Sequence, residues 1–303
     1  MRQEDKQIND GKMSRWFAIM CLFLLPLFAN AESGKISVGK GQKIYYEEYG
    51  QGEPVILLHG HTLDRRMWKG QVELLQDSFR VIVPDLRGYG LSSDPRPAQQ
   101  FTYTDDVIAL MDSLSIDKAH VVGLSMGAYV AGELLAMHPD RLLSCMMVAG
   151  EICGRPGPSS PKTKEEKERQ RLGNEKIQRQ GLDKYKHDRV EDLIRRAGSR
   201  GEEMRDALTE MITEWGAWQV THVTARIYYG QEAFLQLKKS RPDVRTLIVY
   251  GELEGKKPSR MLNYLSNAEQ ISIPDCGHMV NMEQPEQFNL LLMNWLHRLT
   301  VKE

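Results

Sequence analysis

The run "HVVGLSMGAYVAGELLAMHP", His120 to Pro139, decides how this 303-residue chain is read. It opens as a short apolar stretch, as a buried strand would. From Met126 to about His138 it reads as a helix. Between the two lie Gly123, Ser125 and Gly127. Packing alone gives no reason for two glycines around one serine. A strand that turns sharply into a helix does, because glycines relieve the crowding and leave the serine at the apex. Its hydroxyl then stands at a helix N-terminus, where negative charge is favoured. The plainer alternative is a serine that only caps the helix.

Outward from this turn, strand and helix patterns alternate. "KIYYEEY" (43–49), "PVILLHG" (54–60) and "RVIVPDLRGYG" (80–90) read as strands, the last two as apolar runs closed by turn residues. "YTDDVIALMDSLSI" (103–116) carries Val107, Ile108, Met111 and Leu114 at helical spacing. "RLLSCMMVAG" (141–150), "RTLIVYG" (245–251) and "EQISIPD" (269–275) read as further strands. A helix is expected around Arg260 to Leu265, and a last one at "PEQFNLLLMNWLHRL" (285–299), which Pro285 suits as first residue. This alternation implies an α/β fold, a mostly parallel sheet with helices on both faces. No internal repeat and no dinucleotide-binding glycine fingerprint interrupts it.

The rhythm breaks at residue 151. "RPGPSSP" (155–161) is a loop, and 25 of the 45 residues from Lys162 to Asp206 are charged, against 27% for the chain. A disordered linker would have this composition. Yet Val190, Ile194 and Ala197, then Met204, Leu208, Met211, Ile212 and Trp215, recur at helical spacing. Amphipathic helices are therefore expected, with a charged outer side and "WGAWQV" turned inward. The organisation that follows is a core of 32–154 and 241–303, with a helical insertion at 155–240.

A net charge of −1 gives no reason to expect nucleic acid or an anionic membrane as partner. The first 31 residues form a separate unit. Lys12 and Arg15 precede the uncharged "WFAIMCLFLLPLF", and Ala29-Asn30-Ala31 follows it. That order describes a secretory signal peptide, with Met13 as a second candidate start and a mature, exported chain from Glu32. The apolar stretch falls short of the roughly 20 residues of a membrane span, so no stable anchor is expected after cleavage, although an uncleaved anchor is the alternative. Without Cys21 the mature chain keeps Cys145, Cys153 and Cys276. Cys145 lies in an apolar strand, and pairing of Cys153 with Cys276 stays open.

Alone, the Gly-x-Ser-x-Gly pattern is weak; its partners sharpen it. A serine hydroxyl needs a base, and His278 in "PDCGHMVNMEQPE" lies in a loop after the last strand, from which it can reach over the sheet edge. His120, His138, His187 and His297 fall on a strand start, a helix end, the charged insertion and the last helix. The base in turn needs a carboxylate to fix its tautomer, and "LIVYGELEG" offers Glu252 and Glu254 just past a strand. With serine, acid and histidine in that order, the chain resembles the α/β-hydrolase superfamily over about residues 35–299. The resemblance rests on "LLHGH" (57–61), "PDLRGYGLS" (84–92), "GLSMGA" (123–128), "GELE" (251–254) and "GHMVNMEQPE" (277–286).

The resemblance implies a triad of Ser125, Glu254 and His278. Glu254 stands where the family usually has aspartate, three residues after the glycine that ends the strand, so Glu151, a position some relatives use, stays as the alternative acid. The oxyanion hole is expected from the backbone N–H groups of Met126 and His61, the latter at a position often apolar or aromatic. His59 is expected to shape its loop, and Asp85, Arg87 and Gly88 to be structural. Trp215 and Trp218 fall where the family builds a cap over the pocket. The expected activity is that of an exported serine hydrolase acting on a small or medium carboxylic ester, thioester or lactone, with no metal or organic cofactor. A perhydrolase or carbon–carbon bond hydrolase using the same triad, and a weakly hydrolytic binding protein, are the other readings. The serine speaks against epoxide hydrolases and haloalkane dehalogenases, which resemble this architecture but place aspartate there. The sequence sets neither the natural substrate nor the oligomeric state.

Overall fold

The computed structural model describes residues 31–300, apart from 97, 98, 158, 161, 223, 226, 256 and 257. The leader read in the N-terminal residues lies outside them. The strands are β1 (Glu32–Ser37), β2 (Lys43–Tyr49), β3 (Glu53–Leu58), β4 (Phe79–Pro84), β5 (Ala119–Leu124), β6 (Leu142–Val148), β7 (Thr246–Gly251) and β8 (Ala268–Ile273). They form one sheet in the order β1-β2-β4-β3-β5-β6-β7-β8. Strand β2 runs antiparallel to both its neighbours, and every pairing from β4 to β8 is parallel. This is an α/β-hydrolase fold. Its inner strands are the continuous apolar runs, since β5 and β7 are buried at every position. The alternation missed β1: "ESGKIS" carries almost no apolar pattern, only Ile36 is buried, and pairing with β2 holds it at the edge.

Helices α1 (Lys69–Leu75), α2 (Tyr103–Ser113) and α3 (Met126–Met137) connect the first strands. Between β6 and β7 come α4 (Lys164–Gln180), α5 (Leu182–Arg195), α6 (Arg205–Glu214), α7 (Trp218–Thr221) and α8 (Gln231–Ser240). Two more, α9 (Val280–Glu283) and α10 (Pro285–Thr300), follow β8. Side chains alternate across the pleat, so Ile56 and Leu58 join a core with α2, α3 and α8, while Val55 and Leu57 join one with α1 and α10. No described helix is long and apolar enough to cross a membrane.

The long connection between β6 and β7 mixes two characters. Helix α4 buries no residue and is held at its start by a capping box between Thr163 and Glu166. Helices α5 and α6 do carry an apolar stripe: Val190, Leu193, Leu208, Met211 and Ile212 are buried in the same cluster as β7. Trp215 and Trp218 are both buried, as their inward reading required. The pairing left open between Cys153 and Cys276 is not made. Both thiols, and that of Cys145, are free and buried.

Candidate active site

Parallel strands deliver their C-terminal ends to one edge of the sheet, and Ser125, Glu254, His278 and His61 follow strand ends there. Ser125 follows β5 directly and starts α3, with φ 55° and ψ −106°, a conformation costly for a residue with a Cβ. Its N–H donates to Val148 O at 2.7 Å, which pins the turn to β6. The flanking glycines have no unusual φ; what they supply is closeness. A Cβ on Gly123 would stand 2.1 Å from Gly127 O, and one on Gly127 would stand 2.1 Å from Leu58 O. The helix start is thus seated against two strands, and the strain falls on the serine. The Ser125 hydroxyl makes no capping bond to α3.

That hydroxyl is instead 2.8 Å from His278 Nε2, and His278 Nδ1 is 2.8 Å from Glu254 Oε1. A carboxylate can only accept, so Nδ1 carries the ring proton and Nε2 accepts from Ser125 O–H. Glu254 Oε2 is buried and has no hydrogen-bond partner among the described residues, so the carboxylate acts on the histidine alone. The two loops are tied together where Leu253 N–H donates to Cys276 O at 3.0 Å. Buried Glu283 fixes the histidine loop, accepting from Gly277 N–H at 2.8 Å and also from Gly198 N–H across the connection. Glu151, the alternative acid, lies elsewhere and accepts from Ser259 O–H. Glu252 accepts from Asp275 N–H at 3.3 Å.

Met126 opens α3, so its N–H has no carbonyl within the helix. Neither that N–H nor the one of His61 has an acceptor among the described residues. The loop between them is held by His59, whose Nδ1 and Nε2 contact Gly60 O and Leu86 N–H, both at 2.9 Å. His59 therefore shapes the loop, and Asp85 supports it by accepting from Arg65 N–H and Leu91 N–H at 2.9 and 2.8 Å. Arg87 forms a buried ion pair with Asp106.

The His61 side chain does not simply face solvent. Its Nδ1 is 2.6 Å from Tyr89 Oη, and its ring meets Trp215 edge-on at 5.2 Å. Burial, then the Arg189 cation, push its pKa down to about 3, so the ring is neutral. Tyr89, His61, Trp215 and, on α5, Tyr185 form an aromatic wall, with Tyr89 and Trp215 stacked at 6.3 Å. Tyr89, Tyr185 and Arg189 are site neighbours that the sequence reading missed. Tyr89 lay inside the "RGYG" turn, where glycine drew the attention. The other two share one helix face at i and i+4, a spacing that could have marked them within the charged run.

A family model described as alpha/beta hydrolase fold matches residues 53–285. Among curated proteins, the AB hydrolase superfamily protein YisY of Bacillus subtilis is 26% identical over 82% of this chain and 93% of its own length. Among solved structures, a thermophilic esterase from Thermogutta terrifontis, with malate bound, is 30% identical; the match covers 89% of this chain and all of that one, with a TM-score of 0.69. The enol-lactonase from Burkholderia xenovorans LB400, 19% identical with a TM-score of 0.63, shares the fold.

Proposed function

This chain belongs to the alpha/beta hydrolase fold family, and on that premise we propose that it is a serine hydrolase cleaving a small or medium carboxylic ester, thioester or lactone. The observation that carries the reading is the unbroken chain of hydrogen bonds from Ser125 through His278 to Glu254, at 2.8 Å for each link. The esterase from Thermogutta terrifontis, similar over the same span, supports the reaction class. The helices between β6 and β7 act as a cap, which suits a small substrate better than a protein chain.

Ser125 Oγ attacks the carbonyl carbon while its proton passes to His278 Nε2. The imidazolium is stabilised by Glu254, and the carbonyl oxygen takes its negative charge opposite the N–H groups of Met126 and His61. Collapse expels the alcohol, thiol or ring oxygen, which takes the proton from Nε2 and leaves an acyl-Ser125. Water, deprotonated by the same nitrogen, then frees the acid and restores the serine. None of these steps calls on a metal or an organic cofactor.

The test is hydrolysis of p-nitrophenyl acetate, butyrate and octanoate by residues 32–303, beside Ser125→Ala. The expected result is turnover that falls by about 10⁴-fold or more in the variant, with fluorophosphonate labelling confined to the parent. Equal rates in both proteins would overturn the assignment. Export with loss of residues 1–31 belongs to the same proposal, and the mass of the chain recovered outside the cytoplasm checks it.

A further inference from the structure

The wall contributed by α5 carries a charge that the proposed reaction does not use. Tyr185 and Arg189 lie one turn apart on the same face. The Tyr185 ring is 6.4 Å from Trp215, whose ring packs on His61. One turn on, Arg189 Nε donates to Thr62 Oγ1 at 3.4 Å, beside His61 in the chain. Arg189 therefore stands over the loop whose His61 N–H is proposed to face the reacting carbonyl.

Its guanidinium is poorly compensated. Of five N–H donors, one is spent on Thr62 at long range. The carboxylate against it is Asp192, whose Oδ2 lies 3.6 Å from Nη1. That carboxylate already holds Arg195 and Arg196, both in closer contact. One negative charge thus serves three cations. The Arg189 side chain is only 21% exposed, so it has lost much of its hydration without gaining a full partner, a costly state for an ion. Burial and the neighbouring Arg196 lower its pKa, yet an arginine stays charged. A second cation adds to the field: Arg155 is exposed, has no carboxylate partner among the described residues, and acts on His61 and Tyr129.

We propose that Arg189 determines specificity by binding a carboxylate on the substrate, so that the preferred substrate is an anionic ester, thioester or lactone with its charge a few bonds from the scissile carbonyl. A planar fork of free N–H donors matches a carboxylate, and the ligand supplies the counter-charge that Asp192 does not. The inference rests on the serine-hydrolase reading. A plainer role for Arg189, a strap from α5 to the Thr62 loop, would weaken the turnover of all esters alike.

The experiment compares mono- and dimethyl esters of succinate and glutarate, followed by acid release, for residues 32–303, Arg189→Gln and Arg189→Lys. The quantity read is the ratio of kcat/KM between the half-ester and the diester of each acid. Arg189→Gln is expected to lower that ratio about 10- to 100-fold, chiefly through KM, and Arg189→Lys to recover part of it. Free glutarate is expected to compete with the diester in the parent and to do so at least about tenfold more weakly in Arg189→Gln. An unchanged ratio, with both esters falling together, would overturn the proposal in favour of the strap. A parent that turns over diesters but rejects half-esters would also overturn it and leave the hydrolase reading intact. A parent that hydrolyses neither ester and takes no fluorophosphonate would instead sink the hydrolase reading itself.

Discussion

Glu254 and Glu151 are the two carboxylates the sequence offers to His278, and only Glu254 touches it; Glu151 is bound to Ser259. Chain order left both open, because each follows the glycine that ends a strand. The difference is made by a short 3₁₀ turn, Glu252–Glu254, which carries Glu254 back to His278 Nδ1. On this geometry Glu254→Gln removes the acceptor that fixes the tautomer, and kcat is expected to drop by about 10⁴-fold. Glu151→Gln, which disturbs only the bond to Ser259, is expected to change kcat by no more than about threefold. Steady-state rates on p-nitrophenyl butyrate check both, and a larger loss in Glu151→Gln would reverse the assignment. Ser125 and His278 were legible because turn chemistry and loop position are local properties of sequence. Arg189 was not. The role proposed for it depends on Arg195 and Arg196 already holding Asp192, and that is a property of packing.

At the scale of elements, the apolar runs that became β3, β5 and β7 declared themselves, since a strand buried on both faces has no polar face to confuse the pattern. Helix α4 and strand β1 did not, because neither buries a stripe and neighbours or caps hold them instead. A polar residue within α3 makes an unusual joint between elements. Glu133, fully buried, accepts from Thr104 O–H of α2 at 2.8 Å and from Gly230 N–H, just ahead of α8, at 2.7 Å. Burial outweighs these donors and pushes its carboxyl up to about 7. The folded state thus holds the proton more tightly than the unfolded chain. The stability this lends is complete below the ordinary glutamate value and is lost as the pH rises through about 7. Urea unfolding between pH 5 and 8 is expected to show roughly 1–3 kcal/mol of loss in the parent, and a flatter profile in Glu133→Gln. Parallel profiles would contradict it.

For the whole molecule, cohesion comes from two apolar cores on either side of one sheet, without covalent ties among the described residues. Burial drives the Cys145 thiol up to about 12 and raises that of Cys276 as well, so neither is a ready thiolate. The melting temperature of residues 32–303 is accordingly expected to be the same with and without reductant. A thiol reagent should titrate three groups only after unfolding. A melting temperature lowered by reductant would mean that a disulfide forms after all.

The connection between β6 and β7 also sets an order in time. The serine turn belongs to the first half of the chain, whereas the acid and the base come after the five helices between β6 and β7. A ribosome therefore delivers Ser125, the proposed nucleophile, long before His278, the base proposed to take its proton. Through most of synthesis the growing polypeptide thus holds a serine without the histidine proposed to activate it. On the proposed mechanism, hydrolysis becomes possible only once the loop bearing His278 has been made and has folded against Ser125. By then the five helices proposed as a cap have already been made, so on that proposal access to the site is restricted from the moment its triad is complete.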